Sequence, residues 1–121
     1  MSEGYSFRIL SEGSTAVFAP QGRLAYPCVV GMRLPVFAFL AERRPNVIAD
    51  FSSVEYMDLT GARLVSEMGR FLGGLGRTLV VSSVRDDRSA ALLKSADPDR
   101  SILFFDDVDQ ASAFLLRFAG R

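Results

Sequence analysis

The chain has no histidine, no tryptophan and a single cysteine, Cys28, in its 121 residues. Without histidine there is no Ser–His or Cys–His nucleophile pair, and the commonest general base and zinc ligand are missing. One cysteine can form neither an internal disulfide nor a multi-cysteine metal cage. Its apolar neighbours Val29 and Val30 predict a buried structural thiol rather than a reactive one. Net charge is missing too, because fourteen basic and fourteen acidic residues cancel. That balance leaves no electrostatic footprint for nucleic acid or an anionic membrane. No apolar run approaches the roughly 20 residues that span a bilayer. The opening MSEGYSF is acidic and lacks the apolar segment of a secretory signal. A cytoplasmic protein without membrane insertion is expected.

What remains is an ordinary globular mixture, 49% apolar and 23% charged. Its length suits one domain over residues 1–121. Residues 5–10 and 15–20 read as strands, and the turn-rich link Ser11-Glu12-Gly13-Ser14 joins them as a hairpin. Gln21-Gly22-Arg23 is expected to end the second strand. Over residues 27–43, Val29, Val30, Leu34, Phe37, Leu40 and Ala41 follow helical spacing. Pro35 inside that pattern predicts either a kink or a late start. Residues 47–51 form a short apolar run containing Asp50, as in a buried parallel strand. Residues 61–72 place Leu64, Val65, Met68 and Leu72 on one helical face, and the glycines from Gly73 stop that helix. A strand over 78–83, a helix over 86–95, a strand over 102–105 and a helix over 108–118 follow. The last helix packs Ala111, Phe114, Leu115 and Phe118. The order β-β-α-β-α-β-α-β-α predicts an α/β fold, with a mostly parallel sheet and an antiparallel N-terminal hairpin strand.

Few motifs carry chemistry. Gly73-Gly74-Leu75-Gly76 follows a helix and opens a strand, the reverse of a phosphate-binding loop, and no Gly-Lys-Ser/Thr is present. The acidic groups at residues 86–87, 97–99 and 106–109 border helices and loops, where aspartate satisfies free amides. Their spacing does not match a calcium loop. No catalytic, cofactor or metal site is assigned, and nothing beyond helix N-termini speaks for nucleotide binding.

The stretch VIADFSSVEYMDLTG, residues 47–61, is the exception. A strand closes on an acid, a polar turn follows, and Asp58-Leu59-Thr60-Gly61 opens a helix. Helix starts carry unpaired N–H groups and partial positive charge, so either Asp58 or Thr60 can cap here, or a hydroxyl can hold a phosphate.

With these residues in place, the sequence resembles the STAS family, the domain of bacterial anti-sigma factor antagonists. The likeness rests on Gly22-Arg23-Leu24, on residues 47–54, and on Tyr56-Met57-Asp58-Leu59-Thr60-Gly61-Ala62. Leu79-Val80-Val81, Leu92-Leu93 and residues 105–111 follow in the family order. It implies the STAS fold and a small non-enzymatic module in transcription signalling. The implied partner is an anti-sigma factor or serine-kinase-like ATPase, which silences such antagonists by phosphorylating a Ser or Thr directly after the motif aspartate.

Here that position is Leu59, which has no hydroxyl. Thr60 matches the family's second hydroxyl position and is the candidate phosphosite. Ala25 stands where antagonists often carry an aspartate. Partner binding is therefore expected to be constitutive, or regulated other than by phosphorylation at residue 59. The expected binding face joins Asp58, Leu59, Thr60, Gly61 and Ala62 to Arg63 and Ser66 one turn on, exposed beside Arg85 and Arg88. Leu59 is read either as an exposed anchor or as core beneath the first turn. The second functional class is an accessory subunit of a membrane lipid-transport complex, since STAS-like domains also occur beside transporters.

Overall fold

A computed structural model describes residues 4–10 and 13–118. Strand β1 (Gly4–Ile9) runs antiparallel to β2 (Thr15–Leu24), in register from Gly4 opposite Gln21 to Ile9 opposite Ala16. Two of the expected link residues, Ser11 and Glu12, lie outside the described residues. Helix α1 (Cys28–Arg43), β3 (Asn46–Asp50), β4 (Val54–Met57), α2 (Leu59–Gly74) and β5 (Leu79–Ser82) follow. The series closes with α3 (Asp87–Ala96), β6 (Phe104–Phe105) and α4 (Val108–Phe118). The sheet order is β1-β2-β3-β5-β6, all parallel except the β1–β2 pair, with β4 also paired parallel to β2.

Two expectations at the sheet are corrected. Gln21-Gly22-Arg23 does not end the second strand, which continues to Leu24 through a register shift between Gly22 and Arg23. Gly22 sits at φ 73, a backbone angle glycine adopts without a Cβ penalty. The shift turns the end of β2 toward a strand absent from the expected order, β4. Val54-Glu55-Tyr56-Met57 has only four residues and little alternation, so its strand character comes from pairing with Gly22 to Leu24 far away in sequence.

The central strands are covered on both faces, and their side chains alternate between them. Phe18, Val47, Ala49 and Val81 pack toward α1, α2 and α3, with Leu64, Met68 and Leu72 among the fully buried partners. Val17, Ile48 and Val80 pack on the other side against Ala111 and Leu115 of α4. Phe114 is half-buried and Phe118 is exposed, so the far end of α4 is less covered than its spacing suggested.

Helix α1 also departs from expectation. It runs through Pro35 without a late start. Gly31 and Pro35 are both exposed, so the carbonyl that Pro35 cannot engage lies on the solvent side. The buried stripe is Val29, Met32, Val36 and Leu40, while Val30, Leu34 and Ala41 face solvent. The segment is apolar nearly all round, so spacing alone could not choose the face. Cys28, in its first turn, is half-buried rather than buried.

Candidate protein-interaction site

The site gathers at the end of the sheet where β4 runs into α2. Met57 is fully buried and anchors the end of β4. Asp58 follows in an extended conformation and caps α2, its Oδ1 accepting from the Gly61 amide at 3.0 Å. Of the two candidate caps, the structure uses Asp58. Its other oxygen, Oδ2, accepts from the Tyr26 amide at 3.1 Å. One carboxylate thus holds both the first turn of α2 and the loop between β2 and α1.

Gly61 is required by packing rather than by φ. A Cβ at this position would lie 1.9 Å from the Leu24 carbonyl oxygen, well inside contact distance. The absence of a side chain lets the first turn of α2 sit directly on the end of β2.

This close seat overturns part of the expected exposed face. Gly61 is buried, Ala62 is 0% exposed and Ser66 is 3% exposed. Ser66 Oγ accepts from Arg70 Nη1 at 3.0 Å, a contact along α2 itself. Gly61 and Ala62 face inward at the start of α2, which lies against β2, and Ser66 is closed off further along the helix, so these positions offer little side-chain surface to a partner. Leu59 is 38% exposed, Thr60 is half-buried and Arg63 is exposed. The alternative that placed Leu59 in the core does not hold.

Arg88 comes from the first turn of α3 and reaches across to β4. Its Nη1 donates to the Met57 carbonyl at 2.7 Å, and its guanidinium lies 4.9 Å from the Tyr56 ring centre. Arg23 stands opposite Tyr56 in the β2–β4 register, with its guanidinium 4.5 Å from the same ring. Arg85 is exposed and lines a small cleft with Phe51, Ser52 and Val54 beside the β3–β4 turn. The structure therefore joins Arg88 to the start of α2 through β4.

Sequence reasoning missed Arg23, Tyr26 and Tyr56 as members of this surface. Tyr26 is 67% exposed in the loop that Asp58 holds. Reading residues 54–57 as a strand beside Gly22-Arg23-Leu24 is the signal that would have found Arg23 and Tyr56.

The acidic groups act locally. Asp86 Oδ2 accepts from the Ser89 amide at 2.9 Å, and Asp107 Oδ1 from the Gln110 amide at 2.8 Å. Asp97 Oδ2 accepts from the Ile102 amide at 2.9 Å and ties down the loop before β6. The Ser89 amide and side chain hold the Asp86 carboxyl below its ordinary range, with Arg88 adding a smaller pull. Among the described residues, no three potential metal ligands converge.

An α/β sheet with one antiparallel edge and an aspartate-capped helix following a short parallel strand defines the class. Residues 8–111 match the family model of the STAS domain, and the chain belongs to that family. No curated protein sequence matches it significantly. Among solved structures it is similar to the anti-sigma factor antagonist SpoIIAA in its unphosphorylated form. That match has 15% identity and a TM-score of 0.72, and covers 95% of this chain and 99% of that one. A serine-to-glutamate variant of RsbS from Moorella thermoacetica aligns at 17% identity with a TM-score of 0.78, covering 97% and 98%. The murine anion transporter Slc26a9 aligns at 13% identity with a TM-score of 0.73, over 96% of this chain but 22% of the transporter. At these identities the likeness is one of fold. Among the described residues, no helix is long and apolar enough to cross a membrane.

Proposed function

We propose that this protein is a single-domain, non-enzymatic regulatory module of the anti-sigma factor antagonist type, docking a protein partner through the surface around Leu59. The observation that carries this reading is the exposure of Leu59, 38%, on a helix start held on two sides by Asp58. An apolar side chain presented on a fixed turn is a ready anchor, and its burial by a partner is worth about 1–2 kcal/mol. The only carboxylate at the turn has each oxygen engaged by a backbone amide, and the chain has no histidine. Both facts support binding rather than catalysis.

The partner this reading names is an anti-sigma factor or serine-kinase-like ATPase, in cytoplasmic bacterial transcription control. Leu59 cannot accept phosphate, so binding is constitutive or controlled by another input. The direct test is calorimetry with a purified serine-kinase anti-sigma factor from the same organism. Wild type should bind, and Leu59→Asp should weaken binding tenfold or more at an unchanged melting temperature. A kinase that phosphorylates Thr60 stoichiometrically would overturn the constitutive arm. The fold likeness to part of Slc26a9 favours a second reading, an accessory role in a membrane transport complex. Binding to a transporter subunit and to no anti-sigma factor would establish it.

A further inference from the structure

Arg23 and Arg88 approach one aromatic ring, Tyr56, from different elements, at 4.5 and 4.9 Å from its centre. Two guanidiniums at one ring concentrate positive charge there, which an anion would offset. Among the described residues, the one ion pair is Arg33 with Glu67, so no carboxylate is within ion-pair distance of either arginine. Two of the nearby acids have other duties. Asp58 spans the Gly61 and Tyr26 amides, and Asp86 caps α3 through Ser89. The chain as a whole is neutral, so this excess of positive charge is local.

The pair is also held in place. A solvated arginine samples many rotamers and loses that freedom when it binds. Arg88 is pinned by its 2.7 Å bond to the Met57 carbonyl, and its Nη2 lies 3.5 Å from the Tyr56 hydroxyl. Arg23 is set opposite Tyr56 by the strand register. A guanidinium beside an aromatic face keeps its edge donors available, as at Arg23, while Arg88 commits one Nη1 hydrogen to Met57 and keeps the donors not aimed at Met57 or Tyr56. Those donors match the two oxygens of a carboxylate. Three residues beyond Tyr56, Leu59 presents its apolar side chain.

We propose that Arg23, Tyr56 and Arg88 form a receptor for a carboxylate side chain on the protein partner, beside the apolar anchor Leu59. The partner segment is therefore acidic and apolar together, an Asp or Glu set next to a hydrophobic residue. The inference rests on the reading of this face as a partner surface, and specifies what the partner presents to it.

The probe is a capped hexaglutamate peptide titrated into the nitrogen-15-labelled protein at constant ionic strength. Hexalysine and inorganic phosphate serve as comparisons. Saturable shifts are expected at the amides of Arg23, Tyr56 and Arg88, with none from hexalysine. Arg23→Gln and Arg88→Gln should each weaken hexaglutamate binding at least fivefold. Arg88→Lys should fall close to Arg88→Gln if the fork geometry matters. Among the described residues the Arg23 guanidinium contacts the Tyr56 ring and makes no side-chain hydrogen bond, so its variant tests the idea even if Arg88→Gln unsettles the fold. Shifts scattered over many surface arginines, or unchanged in the Arg23 variant, would overturn the proposal. Phosphate binding more tightly than hexaglutamate at the same amides would overturn the choice of carboxylate. If hexaglutamate fails while Leu59→Asp still abolishes partner binding, the receptor falls and the interaction module stands. If hexaglutamate binds at the pair but no anti-sigma factor binds, the receptor stands and the partner reading falls.

Discussion

The starts of α2 and α3 use the same device to different ends. In each, an extended aspartate accepts from the amide three residues on, Asp58 from Gly61 at 3.0 Å and Asp86 from Ser89 at 2.9 Å. At α3 that bond stays within one turn on an exposed carboxylate. At α2 the carboxylate is half-buried, its second oxygen reaches Tyr26, and the glycine it caps rests on Leu24. One start is a local cap. The other is a junction of β2, α1 and α2, and the proposed partner surface is built on it.

The comparison is broken most severely by Gly61→Ala. The added Cβ meets a backbone carbonyl at 1.9 Å, and backbone cannot swing aside as a flexible side chain can. A loss of about 3 kcal/mol is expected in urea unfolding. The equivalent change at α3, Ser89→Ala, should cost far less. Next comes Asp58→Ala, which removes the cap, worth about 1 kcal/mol, and leaves the Tyr26 amide without its partner. The combined loss should be about 2 kcal/mol, with faster hydrogen exchange at both Tyr26 and Gly61.

Asp86→Ala should cost about 1 kcal/mol, with exchange raised only at the start of α3. Its pH dependence sharpens the contrast. Asp86 has a lowered folded-state pKa, so its contribution is complete above the unfolded value near 4. It is lost as pH falls through the lower folded-state value. Asp86→Asn keeps a capping oxygen but no titrating group, so stability measured from pH 6 to pH 2 should fall less steeply than in wild type. The smallest effect on folding belongs to Leu59→Asp, which should stay within about 0.5 kcal/mol of wild type because the side chain is already exposed. Thermal unfolding beside partner binding would separate the two roles of this turn.

Much of this architecture was readable in the residues. Leu64, Val65, Met68 and Leu72 marked the buried face of α2, and the final helix occupies residues 108–118 as its spacing indicated. Aspartates at residues 58, 86 and 107 could be read as caps because each precedes an apolar helical pattern. The face of α1 was not readable, since Val30 and Leu34 satisfy helical spacing as well as Val36 does. Strand β4 escaped because four residues carry too little pattern to declare a strand without their partner. With β4 missing, Arg23 and Tyr56 had no reason to be neighbours, and the arginine pair around the ring stayed hidden. Ala62 and Ser66 were placed on the surface because nothing local says how closely α2 approaches β2.

The sequence by itself determined the alternation of strands and helices, the sheet-facing apolar positions, the family, and the absence of a hydroxyl at residue 59. These follow from side-chain chemistry and periods of two or 3.6 residues, which act over a few neighbours. Tertiary structure decided that Asp58 also holds Tyr26, that Gly61 must lack a side chain, that Leu59 is open while Ala62 is closed, and that Arg23 and Arg88 both approach Tyr56. These depend on contacts between segments more than 30 residues apart, such as Tyr26 with Asp58 and Arg88 with Tyr56. No local pattern encodes such distances; packing of the whole chain sets them.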